Sequence, residues 1–257
     1  MTEKIATLGP KGTFSEKAVR QYGGEPIFKN NISEVFEFVR GGNGKGMVPV
    51  ENMIDGSVGE TLDLLYENGA WIVDEVIVPI KLCVAAKSEN FDSVASHPKA
   101  LGQCLEYIRG KELDTKETAS TAKAMQMAGQ DIAAIGTKLA AKEYGLEIIE
   151  ENIGDKENNV TRFFVLDEEM RDGDKTSVAI HPKEDRPGLL YDLLGAFKKR
   201  GINLTKIESR PTKATLGEYI FYVDFEGSVN GDKVKEALEE VREMAKVKVF
   251  GSYPKGY

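Results

Sequence analysis

The chain contains few of the side chains on which most metalloenzymes and redox enzymes depend. Among its 257 residues are two cysteines, Cys83 and Cys104, and two histidines, His97 and His181. Two thiols are too few for a four-cysteine zinc site, an iron–sulfur cluster or a disulfide framework. Two imidazoles are too few for a mechanism that needs several. The composition therefore argues against sites and mechanisms that depend on several cysteines or several histidines.

Long apolar runs and an excess of basic charge are also missing. No apolar run reaches the roughly 18 residues of a membrane-spanning helix. The opening segment MTEKIATLGPKG has no apolar stretch typical of a signal peptide, so we expect a cytoplasmic protein. With 34 Lys and Arg against 42 Asp and Glu, the formal net charge is −8. This charge argues against general binding to nucleic acid or to anionic membranes.

Charge and pattern divide the chain into two predicted domains. Residues 1–175 hold 20 basic and 30 acidic side chains, whereas residues 176–257 hold 14 and 12. The polar segment Asp167–Lys175 lies at this change and has the composition of a linker. Before it, apolar runs alternate with helical patterns, which predicts an α/β fold with a mainly parallel sheet covered by helices. After it, the order of elements predicts a ferredoxin-like βαββαβ domain.

Three segments of the first domain have the pattern of a helix N-cap beside a strand end or loop. The residues are Thr13 with Glu16, Ser57 with Glu60, and either Ser120 or Thr121. A cap can simply begin a helix, but the free amides there also favour a carboxylate or phosphate. Ligands of open α/β sheets bind at the carboxyl ends of strands. Three such caps together therefore predict an anion site.

A threonine and an arginine enter an apolar strand in the segment NNVTRFFVL. A buried guanidinium needs either an acidic partner or an anionic ligand, so Arg162 either pairs with an acid such as Glu51 or binds substrate. The hydroxyl of Thr161 can donate a hydrogen bond to a leaving oxygen without a change of charge. We interpret His97 and His181 as capping or structural residues, because neither lies in a pattern with a nucleophile and an acid.

In combination, these segments resemble one known family. The motifs GPKGTFSEKA, VPVENMIDGSVGETLDLL, SHPKALGQC, STAKA, AAIGT and NVTRFF occur in the order found in the prephenate dehydratase family. The later segments RPGLLYDLLGAFKKRGINLTKIESRPTK and LGEYIFYVDFEG resemble the ACT regulatory domain of that family. The sequence opens directly on the first catalytic motif, which is typical of the monofunctional members that lack chorismate mutase helices.

The resemblance implies a fold and an organisation. Residues 1–170 would form a catalytic domain of two α/β lobes similar to a periplasmic binding protein, with crossovers near residues 76 and 155. Residues 176–257 would form the ACT domain. Members of the family bind L-phenylalanine between two ACT domains, so the resemblance also implies a homodimer or homotetramer.

The resemblance also implies an activity. The chain would be a carbon–oxygen lyase of phenylalanine biosynthesis that converts prephenate to phenylpyruvate, water and carbon dioxide, without a metal or cofactor. L-phenylalanine would inhibit it at the ACT domain. Two alternatives stay open at this point: an arogenate dehydratase, and a non-catalytic amino-acid sensor.

Residues matched to the family motifs receive expected roles. The catalytic set is Thr161, Arg162, Glu51, Asn52, Gln103 and Ser96, with Thr161 donating a hydrogen bond to the leaving hydroxyl. The substrate-binding set is Thr13, Phe14, Ser15, Ser120, Thr121 and Phe163. The phenylalanine-binding set is Gly188, Leu189, Leu190, Asn203, Leu204, Glu208, Ser209, Arg210 and Pro211. Leu189 departs from the alanine usual in the family, which narrows the expected effector pocket.

Overall fold

The computed structural model describes residues 2–212 and 217–256, which form two compact units. Unit 1 comprises Met1–Val35, Gly46–Val58 and Val76–Phe163. Unit 2 comprises Phe36–Lys45, Gly59–Glu75 and Phe164–Tyr257. Within the described ranges, every helix is too short or too polar to cross a membrane.

The elements up to residue 167 alternate between strands and helices, as predicted. In chain order they are β1 (Lys4–Leu8), α1 (Phe14–Gln21), β2 (Glu25–Lys29), α2 (Ile32–Arg40), β3 (Gly46–Asn52), β4 (Gly56–Ser57), α3 (Gly59–Glu67), β5 (Trp71–Pro79), β6 (Cys83–Ala86), β7 (Ser93–Ser96), α4 (Pro98–Gly102), α5 (Leu105–Gly110), β8 (Asp114–Glu117), α6 (Thr121–Met127), β9 (Ile132–Gly136), α7 (Lys138–Glu143), β10 (Glu147–Glu151) and β11 (Val160–Asp167).

These strands form two mixed sheets, which corrects the prediction of a mainly parallel one. The first sheet has the order β2-β1-β3-β11-β5, with β4 beside β3, and the second has the order β10-β6-β9-β7-β8. Strand β1 is parallel to β2 and β3, but β6 lies antiparallel between β9 and β10. Parallel neighbours need a crossover of a dozen or more residues. Only residues 80–82 separate β5 from β6, so the chain passes into the second sheet instead.

Strand β6 is buried on both faces, which makes the second sheet the middle layer of its lobe. Cys83 and Ala85 pack into a cluster with alanines of α6 and α7. Val84 faces the opposite way and packs with residues of α4 and α5 and with Cys104, the N-cap residue of α5. Side chains of a strand alternate between faces, so a strand between two helical layers is apolar throughout. The sheet thereby positions the first residues of α4 and α6.

Unit 2 contains the predicted βαββαβ arrangement. Its elements are β12 (Lys175–Pro182), α8 (Leu189–Lys198), β13 (Leu204–Pro211), β14 (Tyr219–Glu226), α9 (Asp232–Met244) and β15 (Ala245–Tyr253). The strand order is β13-β14-β12-β15, and each neighbouring pair is antiparallel. One face of the sheet packs against α8 and α9 in a single apolar cluster that includes Phe197 and Phe225. The ferredoxin-like prediction is confirmed.

Candidate functional site

A cavity of about 270 Å³ in unit 1 is bordered by elements of both sheets. Its walls are formed by the starts of α1 and α6, the end of β3, helix α4 and one face of β11. The lining residues are Thr13, Phe14, Ser15, Pro49, Asn52, Asp55, Ile80, Leu82, His97, Lys99, Ala100, Gln103, Ala119, Ser120, Thr121, Thr161 and Phe163. Every member of the expected substrate-binding set lies among them, as do three of the expected catalytic residues.

Two of the three predicted helix caps border this cavity. Thr13 caps α1, its Oγ accepting the N–H of Glu16 at 3.3 Å, and the Glu16 carboxylate accepts the N–H of Gly12 at 2.7 Å. Ser120 caps α6, its Oγ accepting the N–H of Lys123 at 3.0 Å. The first amides of a helix have no acceptor within it. The N–H groups at the start of α1 are therefore available to an anion.

The third predicted cap is wrong. Ser57 lies in β4 and pairs with Glu51 of β3, and helix α3 begins only at Gly59. Gly56 has a φ of +78°, a conformation that glycine adopts without steric cost. This turn reverses the chain into a short hairpin before the helix can start. A capping pattern reports on residues three apart and does not detect such a turn.

Glycine at position 12 allows the start of α1 to approach α7. Its φ is +87°, and a Cβ there would lie 2.6 Å from the Cα of Ala140. The Gly12 carbonyl accepts the hydroxyl of Thr137, which caps α7, at 2.6 Å. The loop before α1 is thereby attached to the helix that follows β9. This contact joins elements of the two sheets beside the cavity.

A chain of amide side chains runs along one wall of the cavity. The Nδ2 of Asn52 donates to the Oγ1 of Thr161 at 2.9 Å and to the Oδ1 of Asn159 at 2.9 Å. The Nδ2 of Asn159 donates to the Oε1 of Gln103 at 2.8 Å, and the Nε2 of Gln103 donates to Asp55 at 3.2 Å. Residues from the end of β3, the C-cap of α4 and the start of β11 thus meet in one hydrogen-bonded network.

Three of the expected catalytic residues do not line the cavity. Arg162 pairs with Glu51, Nη2 to Oε2, at 3.0 Å, so of the two alternatives that the sequence left open, the intramolecular partner is present. The Oγ of Ser96 is buried and donates to the carbonyl of Ile135 at 2.6 Å. Along β3 and β11, Asn52 and Thr161 face the cavity, whereas their neighbours Glu51 and Arg162 do not. This division follows from strand alternation.

Four polar residues at or beside the cavity were not selected from the sequence as site residues. His97 caps α4 by accepting the N–H of Lys99 at 3.2 Å, which confirms its capping interpretation, and both residues also border the cavity. Asp55 lies 3.9 Å from the Nζ of Lys99. Asn159 is buried behind the cavity. The pair of asparagines that precedes Val160 and Thr161 is the one sequence feature that could have indicated Asn159.

Both cysteine thiols are buried, which makes them unreactive. Burial raises the pKa of Cys83 to about 11 and that of Cys104 to about 12, because the apolar surroundings disfavour the thiolate. Cys104 packs in the core beside α5. Among the described residues, no group of three or more His, Cys, Asp or Glu side chains is arranged to hold a metal ion.

Unit 2 contains a larger cavity of about 650 Å³ at the start of α8. Three expected effector residues, Gly188, Leu189 and Leu190, line it. Gly188 is the N-cap of α8 with a φ of +81°, in the left-handed region that favours glycine. The neighbouring wall carries His181, whose Nδ1 shares a hydrogen bond of 3.0 Å with the hydroxyl of Tyr66.

The other expected effector residues lie elsewhere in unit 2. Asn203 borders a separate cavity of about 460 Å³ beside the start of α9. Leu204, Glu208, Ser209, Arg210 and Pro211 lie on β13, at the edge of the sheet. Arg210 pairs with Asp63 at 3.3 Å, and Glu208 with Lys206 at 3.3 Å. Ser209 and Pro211 pair with Phe221 and Tyr219, which line the same cavity as Gly188, whereas Asn203 borders a different cavity within one copy.

Comparison with known proteins gives consistent matches over nearly the whole chain. Residues 5–171 match the family described as Prephenate dehydratase, and residues 184–243 match the ACT domain. A protein named Prephenate dehydratase from Methanocaldococcus jannaschii is 41% identical over 272 residues, covering 99% of each chain.

Solved structures agree with this match. Prephenate dehydratase from Arthrobacter aurescens, in complex with L-Phe, has a TM-score of 0.89 and 33% identity, over 98% of this chain and 90% of that one. A structure described as GqqA, a novel type of quorum quenching acylase, has a TM-score of 0.89 and 27% identity, over 98% of each chain. The same fold thus occurs under two descriptions of activity, so the cavity side chains decide the chemistry.

Proposed function

Because the chain belongs to the prephenate dehydratase family and carries an ACT domain, we propose that its 270 Å³ cavity converts prephenate to phenylpyruvate, water and carbon dioxide. One observation supports this placement above the others. The Thr161 hydroxyl, the amide of Gln103 and the start of α1 converge on one cavity, although they come from distant parts of the sequence. Such a set of donors suits a substrate with two carboxylates and a leaving hydroxyl.

The reaction requires that the enzyme orient the bound substrate and assist one proton transfer. The ring hydroxyl leaves as water while the ring carboxylate leaves as carbon dioxide, and the product gains an aromatic ring. Thr161 donates its hydrogen bond to the leaving oxygen, positioning a proton rather than supplying it alone, since a threonine hydroxyl is a weak acid. Assistance of this kind contributes about 10²–10⁴-fold. Orientation of the bound dianion supplies a further part.

Binding of the dianion uses the two helix starts. The amides at the start of α1, after Thr13, and the capped start of α6, at Ser120 and Thr121, hold the carboxylates, with the ammonium of Lys99 beside them. Phe14 and Phe163 provide apolar contact for the ring. The steps proposed here use no metal or cofactor.

The ion pair of Glu51 and Arg162 serves in this proposal as a brace. It joins β3 and β11 one residue away from Asn52 and Thr161, on the side away from the cavity. A salt bridge in that position keeps the two strands in register, so the distance between Asn52 and Thr161 is held. Ser96 has a similar supporting part, since its hydroxyl anchors β7 to β9.

Regulation by L-phenylalanine forms the second half of the proposal. The start of α8 at Gly188, Leu189 and Leu190 binds the effector carboxylate, and Asn203 and Leu204 of a second copy accept its ammonium. Glu208, Ser209, Arg210 and Pro211 complete the site from β13. Within one copy Asn203 borders a different cavity from Gly188, Leu189 and Leu190, which supports a homodimer or homotetramer. The catalytic domain then spans residues 1–170 and the ACT domain 176–257, in a cytoplasmic enzyme.

A direct assay tests both halves. Purified protein is supplied with prephenate, and phenylpyruvate is measured with and without L-phenylalanine, beside an identical reaction with arogenate. We expect turnover of prephenate, a preference for it over arogenate, and a lower rate with L-phenylalanine. Folded protein that leaves prephenate unchanged would contradict the proposed reaction. An active enzyme that neither binds nor responds to L-phenylalanine would contradict only the proposed regulation.

A further inference from the structure

Asn159 lies behind the cavity and joins two of the side chains that line it. It is 3% exposed and does not itself border the cavity. Its Nδ2 donates to the Oε1 of Gln103 at 2.8 Å, and its Oδ1 accepts the Nδ2 of Asn52 at 2.9 Å. An amide bonded at both ends cannot turn over without breaking both hydrogen bonds.

The orientation of this amide chain is determined by the backbone. The Oδ1 of Asn52 accepts the N–H groups of Ile54 at 2.9 Å and Asp55 at 3.0 Å. A backbone N–H can only donate, so the oxygen of Asn52 must face the turn and its NH₂ must face Asn159 and Thr161. Among Asn52, Asn159 and Gln103, Asn52 is thus the residue whose orientation is set by backbone groups that cannot reverse.

The orientation of the Asn52 amide then determines the orientation of the Asn159 amide. Because Asn52 presents its NH₂, Asn159 must present its oxygen there and its own NH₂ to Gln103. We infer that Asn159 is a positioning residue that makes Gln103 present its NH₂, rather than its carbonyl, to the substrate. The inference rests on the proposed function, because it concerns a donor to the substrate named there.

The far ends of the network agree with this polarity. The Nε2 of Gln103 lies 3.2 Å from a carboxylate oxygen of Asp55, and a reversed Gln103 would place two oxygens against each other there. At the other end, Thr161 accepts the NH₂ of Asn52 at 2.9 Å, which leaves its hydroxyl hydrogen to donate. Both ends of the chain therefore offer donors, as an anionic substrate with a leaving hydroxyl requires.

Replacing Asn159 with aspartate tests the inference with almost no change of shape. The new carboxylate still accepts from Asn52 but has no hydrogen for Gln103, so Gln103 turns and directs its carbonyl at the substrate. We expect N159D to raise the KM for prephenate by about tenfold or more at pH 8, the effect of losing a hydrogen bond to a charged group. The matched control is N158D, since Asn158 is exposed and borders a different cavity.

A pH profile separates positioning from a merely structural role. A protonated carboxyl can donate to Gln103 as the asparagine does, so the KM of N159D should recover toward the wild-type value as the pH falls from 8 toward 5. The titratable and charged groups on the elements that carry or contact these amides include Glu51, Asp55, Lys81, His97, Lys99, Asp155, Lys156, Glu157 and Arg162. All of them are present in N158D and in the wild type as well, so the comparison of profiles, after subtraction of the uncatalysed rate, isolates the change at position 159.

The outcomes are distinguishable. A folded N159D with a KM within twofold of that of N158D, or one whose defect does not recover at low pH, would overturn the inference while the proposed function stands. An inactive wild type would instead remove the proposed function. If N159D does not fold, N159A carries the test: its KM should rise without recovery at low pH, and an unchanged KM would overturn the inference.

Discussion

Replacing Thr161 with valine removes the hydroxyl at the centre of the proposed chemistry and keeps the shape of the side chain. Thr161 is 9% exposed, and its Oγ1 accepts one hydrogen bond from the Nδ2 of Asn52. That Nδ2 also faces the Oδ1 of Asn159 at 2.9 Å and the carbonyl of Val160 at 3.2 Å. Its two hydrogens therefore keep two acceptors in T161V, and we expect a loss of only about 1 kcal/mol of stability.

The effect on catalysis should be much larger. Loss of the donor to the leaving oxygen should lower kcat by about 10²–10⁴-fold, which corresponds to roughly 2.7–5.5 kcal/mol of transition-state stabilisation. The measurement is the initial rate of phenylpyruvate formation at saturating prephenate, together with the Tm of each variant. A loss of 1 kcal/mol lowers the Tm of a chain of this size by about 2–4 °C.

Serine at the same position is the matched control. T161S keeps the hydroxyl and loses the methyl group, so its kcat should stay within about tenfold of the wild type if proton positioning is the role of the residue. A folded T161V that turns over prephenate at nearly the wild-type rate would refute the reasoning. Equal losses in T161V and T161S would assign the effect to packing instead.

Three further results are expected. Lys175 and Glu75 form a buried ion pair with Nζ–O distances of 2.8 and 2.9 Å. K175M should therefore lower the free energy of unfolding by about 3–5 kcal/mol, measured by urea titration of the single tryptophan's fluorescence. The double variant K175M/E75L should lose far less free energy of unfolding, because it leaves no unpaired buried charge. G188A, which forces a side chain into a left-handed conformation at the start of α8, should raise the L-phenylalanine concentration needed for half-inhibition; an unchanged value would remove Gly188 from the effector site. Burial raises the pKa of Cys83 to about 11 and of Cys104 to about 12, so a thiol reagent at pH 8 should label neither cysteine in the native protein and both after unfolding. The free energy of unfolding should also fall as the pH rises above the ordinary thiol pKa of 9.0, because the native state holds these protons more tightly than the unfolded state does.

Local features of the sequence predicted the structure well where the interactions join near neighbours. The capping box at Thr13 and the cap at Ser120 depend on residues three positions apart, and both are present. The βαββαβ order also follows from local pattern, and the sheet pairing agrees. The prediction that Ser57 caps a helix was wrong for a local reason too, because the turn at Gly56 competes with the helix start.

The meeting of distant side chains could not be predicted in the same way. Asn52 and Asn159 are 107 positions apart, and nothing in either segment specifies that their amides share a hydrogen bond. Their contact depends on β3 and β11 sharing a sheet, and the link to Gln103 depends on α4 of the other sheet. The family resemblance supplied Asn52, Gln103 and Thr161 as site residues, but what orients them depends on contacts that form only in the folded chain.

The second sheet is built from one uninterrupted stretch of chain, residues 83–151, with entry and exit side by side. The N–H of Ile80 donates to the carbonyl of Asn159 at 2.9 Å, and the N–H of Ile153 donates to that of Leu82 at 3.1 Å. Such a stretch has the topology of an inserted module whose ends are already joined. It can close its own loops early in folding without waiting for the flanking polypeptide. Excised and expressed alone, residues 80–159 are thus the natural fragment in which to look for autonomous structure.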